Sequence, residues 1–399
     1  LHSVEHKEIR GLGLRVIRNG RIGFSSTTDL AKLEELVDHA CESAVFGQYA
    51  RFDFPKSCLG QRVKVFDPQV ERYAAEQAIA EGTRAIAVLK ESAPELKCDV
   101  TFNKRITTLE LANSKGLCAD YDKTIFAHSI TGVGIVAGGL LFLGDGRRNC
   151  GLKIETREII KKINAHLRHA RKTAKAENAK MPVLFSHEAM YLFWMALELG
   201  VNGKMLQKKS SPLQDRIGEP VLDKRITIYD DALQPLAIGS APYDAEGVGT
   251  ARLLLFDKGV FRNFIYDLQT AGIMNAASTG HGQRDFSSQP MPGATNLVIA
   301  PGRKPLADIV KSIERGIIVH DLLGAGQSNL LAGDFSANIG LGFKIERGRI
   351  TGRVKDAMVA GNVYDLLKNK LAAISREIEP QGPYLTPAML FDGVSVAAK

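Results

Sequence analysis

Hydrophobic and polar residues alternate between Leu12 and Phe24, on both sides of the dipeptide Asn19-Gly20. Alternation around Asn-Gly predicts a two-stranded hairpin closed by a type I′ turn. The apolar spacing then changes to that of a helix, which we expect to begin near Thr28-Asp29. The predicted buried face of this helix consists of Leu30, Leu33, Val37, Cys41 and Ala44.

The rest of the first half predicts two more helices on either side of a strand-rich region. Alanine and glutamate dominate a helical segment over about residues 68–90, and strand patterns follow over about residues 98–142. A basic helix closes this half. Its apolar positions recur at helical spacing, at Ile159, Ile160, Ile163, Leu167 and Ala170.

Composition changes near residue 180, where a polar stretch gives way to an apolar run, and we place a domain boundary there. The second half is rich in glycine and predicts a helix at about 187–199, hairpins at 252–267 and 342–354, and helices at about 304–315 and 363–377. The predicted fold is therefore α+β. It has an N-terminal α/β domain, residues 1–180, and a mostly antiparallel β domain, residues 181–399.

Composition narrows the class of protein. Apolar residues make up 45% and charged residues 24% of the 399 positions, which is typical of a globular chain. The most apolar stretch, Ile130–Leu143, contains four glycines and is shorter than the ~20 residues that span a bilayer, so we predict no membrane contact. The five cysteines show no CxxC pair, which favours free thiols in the cytoplasm.

Positive charge is concentrated in one segment. The net charge is +8, and residues 151–180 hold nine Lys or Arg against three Glu. Such a segment suits either a surface for nucleic acid or the solvated face of an amphipathic helix. No aromatic residues interleave with the charges, so we favour the solvated face and predict no nucleic-acid partner.

The most suggestive chemistry lies at His187-Glu188, before an apolar helix. In zinc peptidases a helix carries His-Glu and then a second His one turn later, so that both imidazoles reach one metal. Here Tyr191 and Leu192 stand at the two possible positions of that second ligand. We therefore predict no metal and no cofactor, unless His281 or His320 joins His187 as an unexpected zinc ligand.

Several motifs resemble the TldD/PmbA family. They lie in order along both halves of the chain: the opening GLGLRVIRNGRIGFSSTTD, Gly247-Val248-Gly249-Thr250, Thr295-Asn296-Leu297, Gly333-Asp334-Phe335-Ser336, Gly342-Phe343 and Ala360-Gly361-Asn362. The resemblance implies an N-terminal α/β domain, a β-rich C-terminal domain and a dimer that encloses an inner cleft. It also implies a cytosolic metallopeptidase system for proteolysis of unfolded or leader peptides. Some members are described as modulators of DNA gyrase.

The resemblance also separates two types of subunit. The TldD type carries HExxxH and a cysteine ligand near its C-terminus, whereas the PmbA type, also called TldE, lacks both. This sequence resembles the second type, because Leu192 replaces the second histidine and no cysteine follows Cys150. Members of the family usually begin a few dozen residues before the opening hairpin, so we expect further residues before Leu1.

These observations lead to a set of expectations. The chain is expected to be a metal-free partner of a TldD-like subunit, or one half of a homodimer, in which His187 and Glu188 are vestigial catalytic residues. His281, Asn296 and Ser336 are the predicted substrate-binding residues of the peptide cleft. Two alternatives stay open: a hydrolase that is active on its own through His187 and Glu188, and a non-enzymatic regulatory protein linked to DNA gyrase.

Overall fold

The computed structural model describes residues 3–398, and its first element is the predicted hairpin. Strand β1 (Leu12–Arg18) pairs antiparallel with β2 (Arg21–Thr27). Asn19 and Gly20 connect them with φ angles of 50° and 74°. Two successive positive φ angles are the geometry of a type I′ turn, so the prediction from Asn-Gly is confirmed.

The helix after the hairpin turns a different face inward from the one we predicted. Helix α1 (Leu33–Ser43) packs Leu36 and Ala40 on the hairpin, and Ala44 continues this stripe. Leu33 and Val37 are each 47% exposed, and Leu30, before the helix, is 50% exposed. The prediction was wrong for these three residues, because residues 36, 40 and 44 repeat every four positions and face β2.

The strand-rich region is a three-stranded antiparallel sheet with helices on one side. Two helices precede this sheet in the chain, α2 (Pro68–Arg72) and α3 (Ala75–Ser92), and a break at Tyr73-Ala74 separates them. The sheet has the order β3-β4-β5. Its strands and the basic helix that follows are β3 (Lys97–Ala112), β4 (Cys118–Val136), β5 (Gly139–Asn149) and α4 (Thr156–Ala170).

Helix α4 joins the two halves of the chain. All five residues of its predicted apolar stripe are buried, which confirms that prediction. The hydrophobic cluster to which they belong also contains residues of the large C-terminal sheet. Representative members are Ala85, Leu89, Ile130, Leu141, Ile159, Ile163, Leu184, Ile318 and Phe343. The apolar side of helix α4 is therefore buried against both the three-stranded sheet and the large sheet.

The second half is dominated by a twelve-stranded, mostly antiparallel sheet of order β10-β9-β8-β13-β19-β7-β14-β15-β16-β6, with β17 and β18 attached to it. This mixture of helices and antiparallel sheets confirms the α+β class. The strands of the large sheet are β6 (Thr173–Ala174), β7 (Ala179–Phe185), β8 (Ile228–Asp231), β9 (Arg252–Asp257), β10 (Val260–Phe261), β13 (Leu297–Ile299), β14 (Arg315–Leu323), β15 (Asp334–Glu346), β16 (Arg349–Val354), β17 (Ala357–Asn362), β18 (Leu371–Gln381) and β19 (Tyr384–Ala398). Strands β11 (Gly282–Gln283) and β12 (Met291–Pro292) pair with each other as a separate two-stranded sheet.

Short helices cover this sheet, and one predicted helix is largely strand. The helices are α5 (Tyr191–Val201), α6 (Gly203–Gln207), α7 (Leu268–Ile273), α8 (Leu306–Lys311) and α9 (Val363–Asp365), which continues as a π-helical turn over Leu366–Lys370. The helix predicted at 363–377 ends there, because β18 pairs with β19 and buries Leu371, Ala373 and Ile374. Within residues 3–398 no helix combines the length and apolarity needed to cross a membrane.

Candidate functional site

His187 and Glu188 lie in the turn between β7 and α5. We expected a helix from about residue 187, but α5 begins at Tyr191. The turn is closed by the Met190 N–H, which donates to the Ser186 carbonyl oxygen at 3.1 Å. The two adjacent side chains point in different directions. His187 lies near Glu379 on β18, whereas Glu188 contacts Lys162 on α4.

One nitrogen atom of the His187 imidazole is held by a hydrogen bond within the protein, and the other lies near a carboxylate. The imidazole is only 4% exposed. Its Nε2 lies 3.2 Å from the carbonyl oxygen of Glu377, which only accepts hydrogen bonds, so Nε2 carries the hydrogen. Its Nδ1 lies 3.7 Å from the Glu379 carboxylate. The nitrogen bonded to Glu377 is thereby withdrawn from metal binding.

Leu192 occupies the position of the second metal histidine and belongs to the hydrophobic core. Its exposure is 0%, and it packs in one cluster with Phe185, Phe193 and Phe335. Its neighbour Tyr191 donates its hydroxyl to the Leu322 carbonyl oxygen at 2.8 Å. Neither side chain at the two possible ligand positions is therefore directed to a metal beside His187.

The Glu188 carboxylate is paired with a cation. It contacts the Lys162 ammonium and the Ser186 hydroxyl, and the His320 Nδ1 lies 3.7 Å away. Burial alone would raise the pKa of Glu188, but its contact with His320 and the charge of Lys162 outweigh burial and hold that pKa well below its usual value. Glu188 is ionised, and its charge is neutralised within the protein.

Lys162, on α4, stands at the centre of this site. Its Nζ lies 3.0 Å from the Asp145 carboxylate and 3.4 Å from that of Glu379, in addition to its contact with Glu188. Burial opposes its charge, yet the three carboxylates raise the pKa of Lys162 above its usual value. Arg147 Nη1 approaches the same Asp145 carboxylate at 2.8 Å. We call Lys162, Asp145, Glu188 and Glu379 the Lys162 cluster.

Two histidines pack against each other beside the Lys162 cluster, with their rings tilted by 49°. The rings of His166 and His320 have centroids 4.3 Å apart, and Phe343 packs against both. Burial, followed by the neighbouring His320, lowers the pKa of His166 to about 3. His166 is therefore uncharged at neutral pH and extends the packed wall of the cluster.

These residues do not fit a zinc site of the family's type. Across residues 3–398, no group of three or more His, Cys, Asp or Glu side chains has an arrangement that could hold a metal ion. His187 donates to a backbone carbonyl, Glu188 binds Lys162, and the position of the second histidine holds a core leucine. The five cysteines are free, and the last of them is Cys150.

The predicted substrate-binding residues lie elsewhere in the second half. His281 is 1% exposed, with its Nδ1 2.8 Å from the Thr279 carbonyl oxygen and its Nε2 3.5 Å from Asp230. Asn296 is 0% exposed and donates to the Asp231 carbonyl oxygen and the Ser240 hydroxyl. Ser336 is exposed on β15. As substrate-binding residues, His281, Asn296 and Ser336 stay predictions.

Sequence reasoning missed the Lys162 cluster. We counted Lys162 among the solvated charges of the basic segment, although it lies three residues after Ile159 and four before His166. These spacings place it beside the buried stripe of α4, which is the available signal. Asp145 and Glu379 carry no such signal, because their meeting depends on how β5 and β18 pack together.

Comparisons with known proteins find matches in both halves of the chain. The family model described as PmbA/TldA metallopeptidase C-terminal domain matches residues 178–398, and that of PmbA/TldA metallopeptidase domain 1 matches residues 1–44. The metalloprotease PmbA homolog of Haemophilus influenzae is 24% identical over 428 residues, which covers 100% of this chain and 88% of that protein.

Two further comparisons differ in how much of this chain they cover. The metalloprotease TldD homolog of Haemophilus influenzae is 30% identical over 181 residues, which covers only 45% of this chain and 37% of that protein. The crystal structure of TldE from Thermococcus kodakarensis superimposes with a TM-score of 0.86 at 25% identity, covering 96% of this chain and 89% of that chain. Similarity to the PmbA and TldE proteins thus extends over nearly the whole chain.

Proposed function

This chain belongs to the PmbA/TldD metallopeptidase family, and we propose that within it the chain is a TldE-like subunit that binds no catalytic zinc. Its role is to complete a dimer with a TldD-like subunit and to form one wall of the cleft in which unfolded or leader peptides are cleaved. The partner supplies the metal and the hydrolytic step. The five free cysteines favour a reducing compartment, and we place this pairing in the cytoplasm.

The observation that carries the proposal is the position of Leu192. A zinc site needs three or four protein ligands. The second of them is replaced by a leucine with 0% exposure, and a ligand cannot be restored there without opening the core. The pairing of Glu188 with Lys162 adds to this, because a general base must be free to accept a proton.

The long N-terminal sheet supports a role in holding extended peptides. Among the described residues, β3 pairs only with β4, so the outer edge of its 16 residues is open to another strand. A peptide that adds to such an edge is held by backbone hydrogen bonds, which require no particular sequence. This mode of binding suits unfolded or leader peptides as substrates.

The test compares the chain alone, a TldD-like chain from the same organism alone, and the two together, with β-casein as an unfolded substrate. We expect hydrolysis by the mixture, none by this chain alone, and co-elution of both chains in gel filtration. His187→Ala in this chain should leave the activity of the mixture unchanged. Replacing the metal-binding histidines of the TldD-like chain should abolish it.

The alternative of an independent hydrolase makes the opposite prediction. Hydrolysis of β-casein by this chain alone, lost in His187→Ala, would refute the proposal and identify His187 as catalytic. A homodimer that hydrolyses nothing and does not bind the TldD-like chain would also contradict it.

A further inference from the structure

The hairpin formed by β4 and β5 carries an exposed apolar surface at its tip. Ile135, Leu140 and Phe142 are 77%, 55% and 65% exposed. Ile135 lies opposite Leu140 in the antiparallel register, and Phe142 lies opposite Val133, so these side chains share one face of the sheet. Leu141, on the other face, is 0% exposed. We call Ile135, Leu140 and Phe142 the hairpin patch.

The connection at the tip holds these side chains in a fixed arrangement. Ala137 and Gly138 form it, with φ angles of 47° and 69°. Two successive positive φ angles are the geometry of a type I′ turn, whose twist matches that of the two strands. A preformed surface loses little conformational entropy when it binds. Contiguous exposed apolar side chains on such a surface indicate a site of interaction with another protein.

Two cations from the C-terminal half lie against the same tip. Arg353 Nη2 donates to the Leu140 carbonyl oxygen at 3.0 Å. Lys355 Nζ donates to the Gly138 carbonyl oxygen at 3.3 Å. Arg353 is 8% exposed, and among the described residues its Nε and Nη1 have no hydrogen-bond partner. Burial lowers the pKa of Arg353, and the exposed carboxylate of Asp356 opposes this only in part.

We propose that the hairpin patch is the docking site for an acidic segment of the TldD-like subunit, whose apolar side chains cover the patch and whose carboxylate compensates Arg353 and Lys355. This inference rests on the proposed function and deepens it, because it names the surface through which the two subunits pair. Aromatic residues and arginine carry much of the binding energy at protein interfaces. Here Arg353 bonds to the strand that carries Phe142.

Charge favours the TldD-like subunit over a second copy of this chain. A two-fold dimer through the hairpin patch would place the patch against itself. It would also bring Arg353 and Lys355 of both copies together, and like charges at an interface repel. A free peptide fits less well, because it is held mainly by backbone hydrogen bonds at a sheet edge, whereas the hairpin patch offers side chains.

The experiment measures the affinity of the full chain for a TldD-like chain from the same organism by biolayer interferometry. Phe142→Glu and Leu140→Glu should each weaken binding at least about 30-fold, the loss that defines a hot spot. Lys355→Glu should weaken binding more at low salt than at high salt, because ions screen exposed charges. Arg353→Met should weaken binding without lowering the melting midpoint of the isolated chain, because it removes a buried charge that has no carboxylate partner among the described residues.

Two control variants make the result specific. Phe46, in the turn after α1, is 91% exposed, and it is matched to Phe142 in residue type. Phe46→Glu should therefore bind within about threefold of the wild type. Asp356→Asn removes a negative charge beside the two cations, so it should not weaken binding to an acidic segment.

Each outcome decides for or against the docking site. If Phe142→Glu and Leu140→Glu are folded by Trp194 fluorescence and bind as tightly as the wild type, the inference is overturned and the proposed function stands. If the wild type does not bind the TldD-like chain, both are overturned. Unchanged affinity for that chain, with loss of a homodimer in gel filtration or of β-casein binding, would identify another occupant and overturn the inference.

A milder variant covers the case in which Phe142→Glu does not fold. Phe142→Ser then replaces it in the same measurement, with the same expected loss of affinity. Because Phe142 is 65% exposed, Phe142→Ser should fold. If it does not, Phe142 belongs to the core rather than to a docking surface, and the inference is overturned.

Discussion

Replacing Lys162 by methionine tests whether the Lys162 cluster holds the two halves of the protein together. The substitution keeps most of the side-chain volume and removes the charge. Lys162 and Glu188 are 22% and 21% exposed in their side chains, so the pair is mostly, although not fully, buried. Breaking a buried pair by removing one partner costs about 3–5 kcal/mol, because the other charge is left uncompensated. Because the pair is partly exposed, we expect Lys162→Met to lower the free energy of unfolding by about 3 kcal/mol.

The assay is urea unfolding at neutral pH, followed by the fluorescence of Trp194, the only tryptophan in the chain. Trp194 lies on α5 and is 1% exposed, so its emission reports the packing beside the site. The double variant Lys162→Met/Glu188→Gln should cost about 1–2 kcal/mol less than the sum of the two single variants, since neither charge is then stranded. Lys161→Met should stay within about 0.5 kcal/mol of the wild type, because its ion pair is exposed.

Two results would refute this reasoning. One is a free energy of unfolding for Lys162→Met within about 1 kcal/mol of the wild-type value, which would mean that the ammonium stabilises the fold no more than an exposed charge does. The other is strict additivity of the two substitutions, which would mean that Lys162 and Glu188 do not depend on each other.

Three further predictions concern separate contacts. Burial raises the pKa of Glu198 to about 6, so the folded state binds this proton more tightly than the unfolded state does. The free energy of unfolding therefore falls as pH rises through 6. In urea unfolding, Glu198→Gln should be more stable than the wild type by up to about 2 kcal/mol at pH 7.5, and by less at pH 5. Leu192→Ala should cost about 2–5 kcal/mol in the same assay, because it opens a cavity in the core, and an unchanged unfolding midpoint would contradict its burial. Arg15 pairs at 2.5 Å with buried Glu246, so Arg15→Ala should release the N-terminal hairpin and speed its cleavage in limited proteolysis relative to Arg10→Ala.

Local patterns predicted the elements whose signals are local. The hairpin around Asn19-Gly20 and the buried stripe of α4 follow from turn chemistry and helical spacing, and both are present. The segment 363–377 is different, because its helical composition is overridden after Lys370 by pairing between β18 and β19. The buried face of α1 was also misjudged, since two apolar stripes compete and only the packing on β2 selects one of them.

The site shows the same limit more sharply. His187-Glu188 could be recognised because its two residues are adjacent in the sequence. The Lys162 cluster could not, because Asp145, Lys162, Glu188 and Glu379 are far apart in sequence and meet only through the packing of four elements. Helical spacing places Lys162 beside the buried stripe of α4, but nothing local identifies Glu188 as the carboxylate that it neutralises.

The zinc content of the chain, purified alone without chelators, tests the central claim most directly. Elemental mass spectrometry gives this number per chain, and a zinc site would show as about one ion per chain. We predict none, because Leu192 is buried where a ligand would stand and Lys162 neutralises Glu188. About one zinc per chain would contradict the metal-free role and direct attention to His187, His281 and His320 as its ligands.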